Sequence, residues 1–321
     1  MAGVRQPESA LRVARGQAGL ITTAQCARLG ISELRIANLV RSGLWRRLVR
    51  GVYDCGEPAI GDLHDHQRRR AAWLGLLGAG PDAIAVGMCA LALHEVWGLP
   101  ARITPEVSLP GARGNRGPAS IRVRRFDQGF RVARLRGRAV ADLRSALVQA
   151  LPEMDRETAV AVLDSTLFRR QLDAEGLAEV RRRVRGRRGA ARLAPWWDLV
   201  DGRAESPLET RARLVCVDAR LRPDDLQVVV TDSRGAFIAR GDMGWLREDG
   251  SWVLVEIDGV AIHSAPEAQF RDRARQNALA SRTDTVILRF TAADVHQPTL
   301  IPRQVAAALG RVRATPRSHA S

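Results

Sequence analysis

A chain of 321 residues and 35.1 kDa exceeds one ordinary domain, and its 45% hydrophobic content is ample for packed cores. All 50 basic residues are arginine and the formal net charge is +15, which excludes lysine chemistry and favours a polyanionic partner. The longest apolar run, residues 83–93, is far short of the ~20 residues a membrane span needs. The opening MAGVRQPES lacks the apolar stretch of a signal peptide. A cytoplasmic protein with no membrane partner is therefore expected. The four cysteines, Cys26, Cys55, Cys89 and Cys216, have no zinc-type spacing and are expected as small buried thiols.

The charge is uneven. Residues 1–60 carry 9 Arg against 4 acids, residues 61–200 carry 24 against 15, and residues 201–321 carry 17 against 16. The basic excess lies before residue 200, so the surface facing a polyanion is expected there.

In residues 1–60 the pattern predicts three short helices and a hairpin. Thr22 and Thr23 are candidate caps for AQCARL, with Gly30 beyond its end. Ser32 can cap ELRIANLVRSG, whose Leu34, Ile36, Leu39 and Val40 lean to one side, and Gly43 ends it. LWRRLVRGVY is β-prone and basic. Helix, helix, helix and basic hairpin is the order of a winged helix. Arg35 and Arg41 on the last helix would meet the major groove of double-stranded DNA, and Arg46, Arg47 and Arg50 would meet phosphates. The stretch GLITTAQCARLGISELRIANLVRSGLWRRLVRGVY resembles the N-terminal domain of abortive-infection (AbiEi) antitoxins and related actinobacterial regulators.

Residues 61–200 are expected to form an α+β middle domain similar to the middle region of the same antitoxin-like family. Helices are expected around QRRRAAWLGLLG and VGMCALALHEVWGLP, strands at PEVSLP, SIRVRRF and FRVARL, and helices again from Asp142 to about Val184. His94 and Trp97 fall on an apolar helix and are expected in its core. The arginine run at 181–189 is expected as a solvated helix end or linker.

Residues 201–321 carry the candidate chemistry, in the order αβββαβ. Ser206 caps a helix that has Pro207 at its first position and Glu209 in its first turn. In the strand WVLVEID, alternation puts Trp252, Leu254, Glu256 and Asp258 on one face. A hairpin centred on Asp249 places Asp242 opposite Glu256, with Cβ atoms roughly 4.5–5.5 Å apart. Like charges so opposed call for a counter-charge. Asp242, Glu256 and Asp258 together offer hard oxygen ligands for Mg²⁺ or Mn²⁺. His263 can reach the same patch as a general base or phosphate partner.

SPLETRAR, ARGDMGW, VEIDG and the following His, with RDRARQNAL and VILRF, resemble the very-short-patch-repair endonuclease-like branch of the PD-(D/E)XK nucleases. The resemblance implies Asp242 and Glu256 as metal ligands, Glu209 as the helix acid and His263 as the catalytic-type histidine. It departs from the wider superfamily in having Asp258 where a lysine is usual, and in having Gly241 before Asp242. The expected fold class is α/β, with an N-terminal winged helix, an α+β middle domain and a C-terminal restriction-endonuclease-like αβββαβ core. The expected function is a metal-dependent DNA endonuclease guided by its winged helix. The alternative is a non-catalytic, antitoxin-like transcriptional regulator with an inactive nuclease fold. Convergence of Asp242, Glu256 and His263 would favour the enzyme, and dispersal the regulator.

Overall fold

The computed structural model describes residues 5–59, 61–110, 118–126, 129–231, 234–258 and 285–310. Its contacts divide the chain into two compact units, residues 1–158 with 172–194, and residues 159–171 with 195–321. The chain is mixed α/β, and among the described residues no helix is long and apolar enough to cross a membrane.

The first unit begins with α1 (Glu8–Arg15), β1 (Leu20–Thr22), α2 (Thr23–Arg28), α3 (Glu33–Arg41), β2 (Arg46–Val49) and β3 (Val52–Asp54). The strands form a sheet of order β1-β3-β2, the arrangement of a winged helix. Both expected caps form. Thr22 Oγ1 accepts the Gln25 N–H at 3.1 Å while Gln25 Oε1 accepts the Thr22 N–H at 2.9 Å, and Ser32 Oγ accepts the Arg35 N–H at 3.2 Å. Trp45 is buried at the centre of a cluster with Ala10, Ile21, Cys26, Ile36 and Leu39, and its indole N–H donates to Gln6 at 2.8 Å. Leu34 departs from expectation. It is 70% exposed, because 100° per residue sets it nearly opposite Ile36 around the helix. Leu34, Ala37, Asn38 and Arg41 therefore share the outer face of α3.

A five-stranded sheet of order β6-β5-β4-β8-β7 completes this unit. Its strands are β4 (Ile84–Ala85), β5 (Glu106–Ser108), β6 (Arg122–Arg124), β7 (Val132–Leu135) and β8 (Arg138–Ala141). Helices α4 (Leu63–Ala79), α5 (Gly87–Leu93), α6 (Leu143–Ala150) and α8 (Ala174–Val184) belong with it, while most of α7 (Arg156–Phe168) lies in the second unit. The His94 ring is hydrogen-bonded to the Ala141 carbonyl at 2.8 Å, but Trp97 is 37% exposed rather than core. All four cysteines are free and buried, and burial pushes the thiols up, Cys26 to about 11 and Cys55 to about 12. Thiols so disfavoured as thiolates are inert packing groups.

The second unit carries α9 (Pro207–Asp218), β9 (Asp225–Thr231), β10 (Phe237–Leu246), β11 (Trp252–Asp258), β12 (Val286–Thr291), α10 (Ala292–Val295) and α11 (Leu300–Ala308). The sheet order is β12-β11-β10-β9, antiparallel except for the parallel pair β11–β12. The expected helix PEAQFRDRARQNALAS, residues 266–281, lies outside the described residues. One apolar layer joins Met243, Trp245, Val253, Val255 and Ile257 to Ala212 and Cys216 of α9, and the other joins Leu254 to Val228 and Ala239.

One irregularity shapes this sheet. Leu226 and Val228 would share a face in a regular strand, yet they belong to opposite layers. Gln227 between them has φ +56°, a left-handed conformation unusual for a residue with a side chain. On the facing strand, a Cβ at Gly241 would lie 2.8 Å from Leu254 Cβ, so no larger residue fits there. Gly241 thus permits close packing against Leu254.

Candidate functional site

In the winged helix, α3 and the hairpin enclose a groove of about 610 Å³. Ile36, Ala37 and Val40 floor its helical side, Arg47, Arg50 and Tyr53 form its hairpin side, and Arg41 stands at the helix end. Gly51, at φ +74°, lets the hairpin turn in two residues, which puts Arg50 at its tip. Of the five arginines expected to meet DNA, Arg41, Arg47 and Arg50 line this groove. Arg46 is exposed and reaches Asp54 at 3.4 Å, and Arg35 donates to the Arg5 carbonyl at 2.5 Å.

The β10–β11 hairpin keeps the expected register, centred on Asp249, but the acidic residues gather around Glu209 and Asp242. Asp242 and Gln227 fall between the strand pairs Gly241↔Val228 and Met243↔Leu226. The β10–β11 ladder runs from Leu246↔Trp252 to Met243↔Val255, and just beyond it the Asp242 carboxylate accepts the Ile257 N–H at 2.7 Å. Gln227 links this carboxylate to the helix acid. Its amide N–H donates to Glu209 at 2.9 Å, it hydrogen-bonds Asp242, and its carbonyl accepts from Arg240 at 2.5 Å. Glu209 Oε2 also accepts the Glu205 N–H at 2.8 Å, and Arg240 pairs with Glu205.

Burial pushes the Glu209 carboxyl up to about 7, and the Asp242 charge adds to the effect. Asp242 is itself raised, first by burial and then by the charge of Asp258, against the lowering pull of the Ile257 N–H and Arg240. Glu256 takes another partner. It stands beside Arg289 in the parallel β11–β12 register and forms an ion pair with it at 3.0 Å. Among the described residues no three of His, Cys, Asp and Glu are grouped so as to hold a metal ion. His263 lies outside the described residues. The converging pair is therefore Glu209 and Asp242, with Asp258 contributing charge and Glu256 countered by arginine.

Residues 8–53 match the family of transcriptional regulators described as AbiEi antitoxin. The match covers the winged helix and stops at the hairpin. Two uncharacterized proteins of Mycobacterium tuberculosis, one from strain CDC 1551 / Oshkosh and one from strain H37Rv, are each 26% identical over 185 residues. The similarity spans 58% of this chain and 67% of each relative. The front of the protein is thus similar to a DNA-binding regulator. None of these likenesses points to an endonuclease.

Two members of the acidic cluster escaped the sequence reading. Arg289 was visible only as part of a strand, because a parallel register cannot be inferred without the intervening connection. Gln227 carried no signal, since its role depends on a left-handed backbone angle in a run of otherwise β-prone residues.

Proposed function

We propose that this chain is a DNA-binding transcriptional regulator of the antitoxin-like kind, reading double-stranded DNA through α3 and the β2–β3 hairpin. The observation that carries this reading is the arginine-lined groove between those two elements, in the segment that matches the regulator family. The outer face of α3 offers Asn38 and Arg41 to base edges, and Arg47 and Arg50 supply phosphate contacts. Duplex binding measured by fluorescence anisotropy over a salt series tests it. Each lost phosphate contact lowers the slope of log K against log salt by about 0.9, so Arg47→Ala with Arg50→Ala should flatten it by roughly 2. Binding that is absent, or indifferent to salt and to both substitutions, defeats the proposal.

A second reading, phosphodiester hydrolysis by the second unit with Mg²⁺ or Mn²⁺, is favoured by one observation: Glu209 and Asp242 both sit above their ordinary carboxyl values. Two raised carboxyls are an electrostatic condition that a cation relieves. Glu209 and Asp242 would be the ligands of such a cation, with Asp258 adding charge, while Glu256 is paired with Arg289. A cation held there would polarise a phosphate and acidify a water. With a cation bound, Glu209 would be ionised as a ligand, and Gln227, itself held by Arg240, would fix its position. Plasmid cleavage with and without Mg²⁺ tests this reading. Intact plasmid at millimolar Mg²⁺ and Mn²⁺ leaves the regulator alone.

A further inference from the structure

The arginine run 181–189 starts as the expected exposed last turn of α8, and beyond Val184 it continues as a loop with a defined course. Residues 185–188 wall one side of a cavity of about 450 Å³ in the first unit, opposite Arg124, Arg125 and Phe126 at the end of β6. The loop is built into place. Gly186 and Gly189 take positive φ, and a Cβ at Gly189 would lie 2.6 Å from the Pro152 carbonyl oxygen. Arg192 ties the segment beyond it to the carbonyls of Pro152 and Met154 at 2.6 and 2.8 Å. Such a loop presents its arginines in a defined place.

Six arginines line the cavity: Arg124, Arg125, Arg183, Arg185, Arg187 and Arg188. The acid on its wall, Glu153, is already bonded to Arg122 and Arg124 at 2.8 and 2.6 Å. Arg124 is also held from behind by the buried Glu106 at 3.2 Å, and Arg183 by Glu179 at 3.2 Å. Arg125, Arg185 and Arg188 have no ion-pair partner among the described residues. A second observation points the same way. Gln149 lines the cavity and is 3% exposed, and its carbonyl accepts the Gly87 N–H, yet its amide Nε2 has no hydrogen-bond partner among the described residues. A buried donor left unpaired costs stability unless something accepts from it.

We propose that this cavity binds a compact, multiply charged phosphate ligand of the pyrophosphate or nucleoside-polyphosphate class. Guanidinium groups converging from two sides suit adjacent phosphate groups, because each can donate in parallel to two oxygens. The volume suits a small ligand and is too small to admit a duplex. The cavity lies apart from the groove of the winged helix, so the claim does not depend on the DNA reading.

The test is isothermal titration of the full chain with inorganic pyrophosphate, with ADP and with adenosine. Saturable binding of pyrophosphate or ADP is expected, with none for adenosine. Arg185→Ser with Arg188→Ser changes exposed side chains only. It should weaken that binding at least tenfold, while leaving melting temperature and duplex binding unchanged. ADP binding more tightly than pyrophosphate would mark a nucleotide as the source, and equal affinities an inorganic one. No binding at millimolar pyrophosphate or ADP overturns the proposal, as does equal binding by wild type and the double variant. If the double variant loses only duplex affinity, the face is a nucleic-acid contact and the small-ligand site is refuted.

Discussion

Glu209→Gln isolates the electrostatics of the acidic cluster. Glu209 is 9% exposed, and its carboxyl is held at about 7 against an ordinary 4.5. Because the folded value is the higher one, the protonated form favours folding. The stability it contributes is complete below pH 4.5 and disappears as pH rises through about 7. At ~1.36 kcal/mol per pH unit of difference, the whole effect is about 3 kcal/mol, of which about 2 is lost between pH 5.5 and 8.5. Glutamine is isosteric and neutral throughout, and its carbonyl oxygen can still accept the Glu205 and Gln227 N–H groups that now meet Glu209 Oε2. The variant should therefore gain about 2 kcal/mol on wild type between those two pH values, at order-of-magnitude precision. Urea titrations at pH 5.5 and 8.5, followed by tryptophan fluorescence, measure it. Asp164, pushed up to about 6 by burial, titrates in both proteins and cancels in the comparison. A constant offset between the two proteins across this range would refute the claim that Glu209 is protonated in the folded state near neutrality.

Other substitutions probe the remaining features. On the cation reading, millimolar Mg²⁺ or Mn²⁺ at pH 8 should raise the melting temperature of wild type, and Asp242→Asn should abolish the rise; calorimetry decides between this and no shift. Asp164→Ala leaves Arg213 unpaired at 4% exposure, 2.7 Å from where the carboxylate stood, and should cost about 3–5 kcal/mol in chemical denaturation. Trp45→Ala empties the centre of the winged-helix core and removes the bond to Gln6, so a loss of about 3–5 kcal/mol and of duplex binding together is expected.

The winged helix was legible because its signals are local. The Thr22 and Ser32 caps, the glycine at the hairpin turn and the spacing of Ile36 and Leu39 each act within a few residues. Leu34 does not share the side of Ile36 and Leu39, because its angle around the helix turns it outward. In the second unit, alternation along β11 was read correctly, and counting back from the hairpin brought Asp242 level with Glu256. Distant pairing was harder. The parallel β12 supplies Arg289 as a counter-charge for Glu256, where the hairpin alone points to a metal ion. The arginine run at 181–189 is exposed as its composition implies, but no local pattern reveals that Gly189 and Arg192 bring the loop against Pro152 and give it a cavity to line.

The left-handed angle at Gln227 explains how Glu209 and Asp242 come together. A side-chain-bearing residue in that conformation costs roughly 1–2 kcal/mol, and it persists only where neighbours hold it. Glu209, Asp242 and Arg240 are those neighbours, each hydrogen-bonded to the Gln227 amide. The same angle moves Val228 into the layer opposite Leu226, and Gly241 lets the facing strand approach Leu254 without a clash. A strained residue, a side-chain-free residue and two disfavoured carboxyls thus occupy one level of the sheet. Packing alone would be served better by a regular strand with an apolar residue in place of Asp242. The left-handed angle, the bare Gly241 and the two raised carboxyls are therefore one local feature of the sheet, centred on the Gln227 amide, rather than three separate ones.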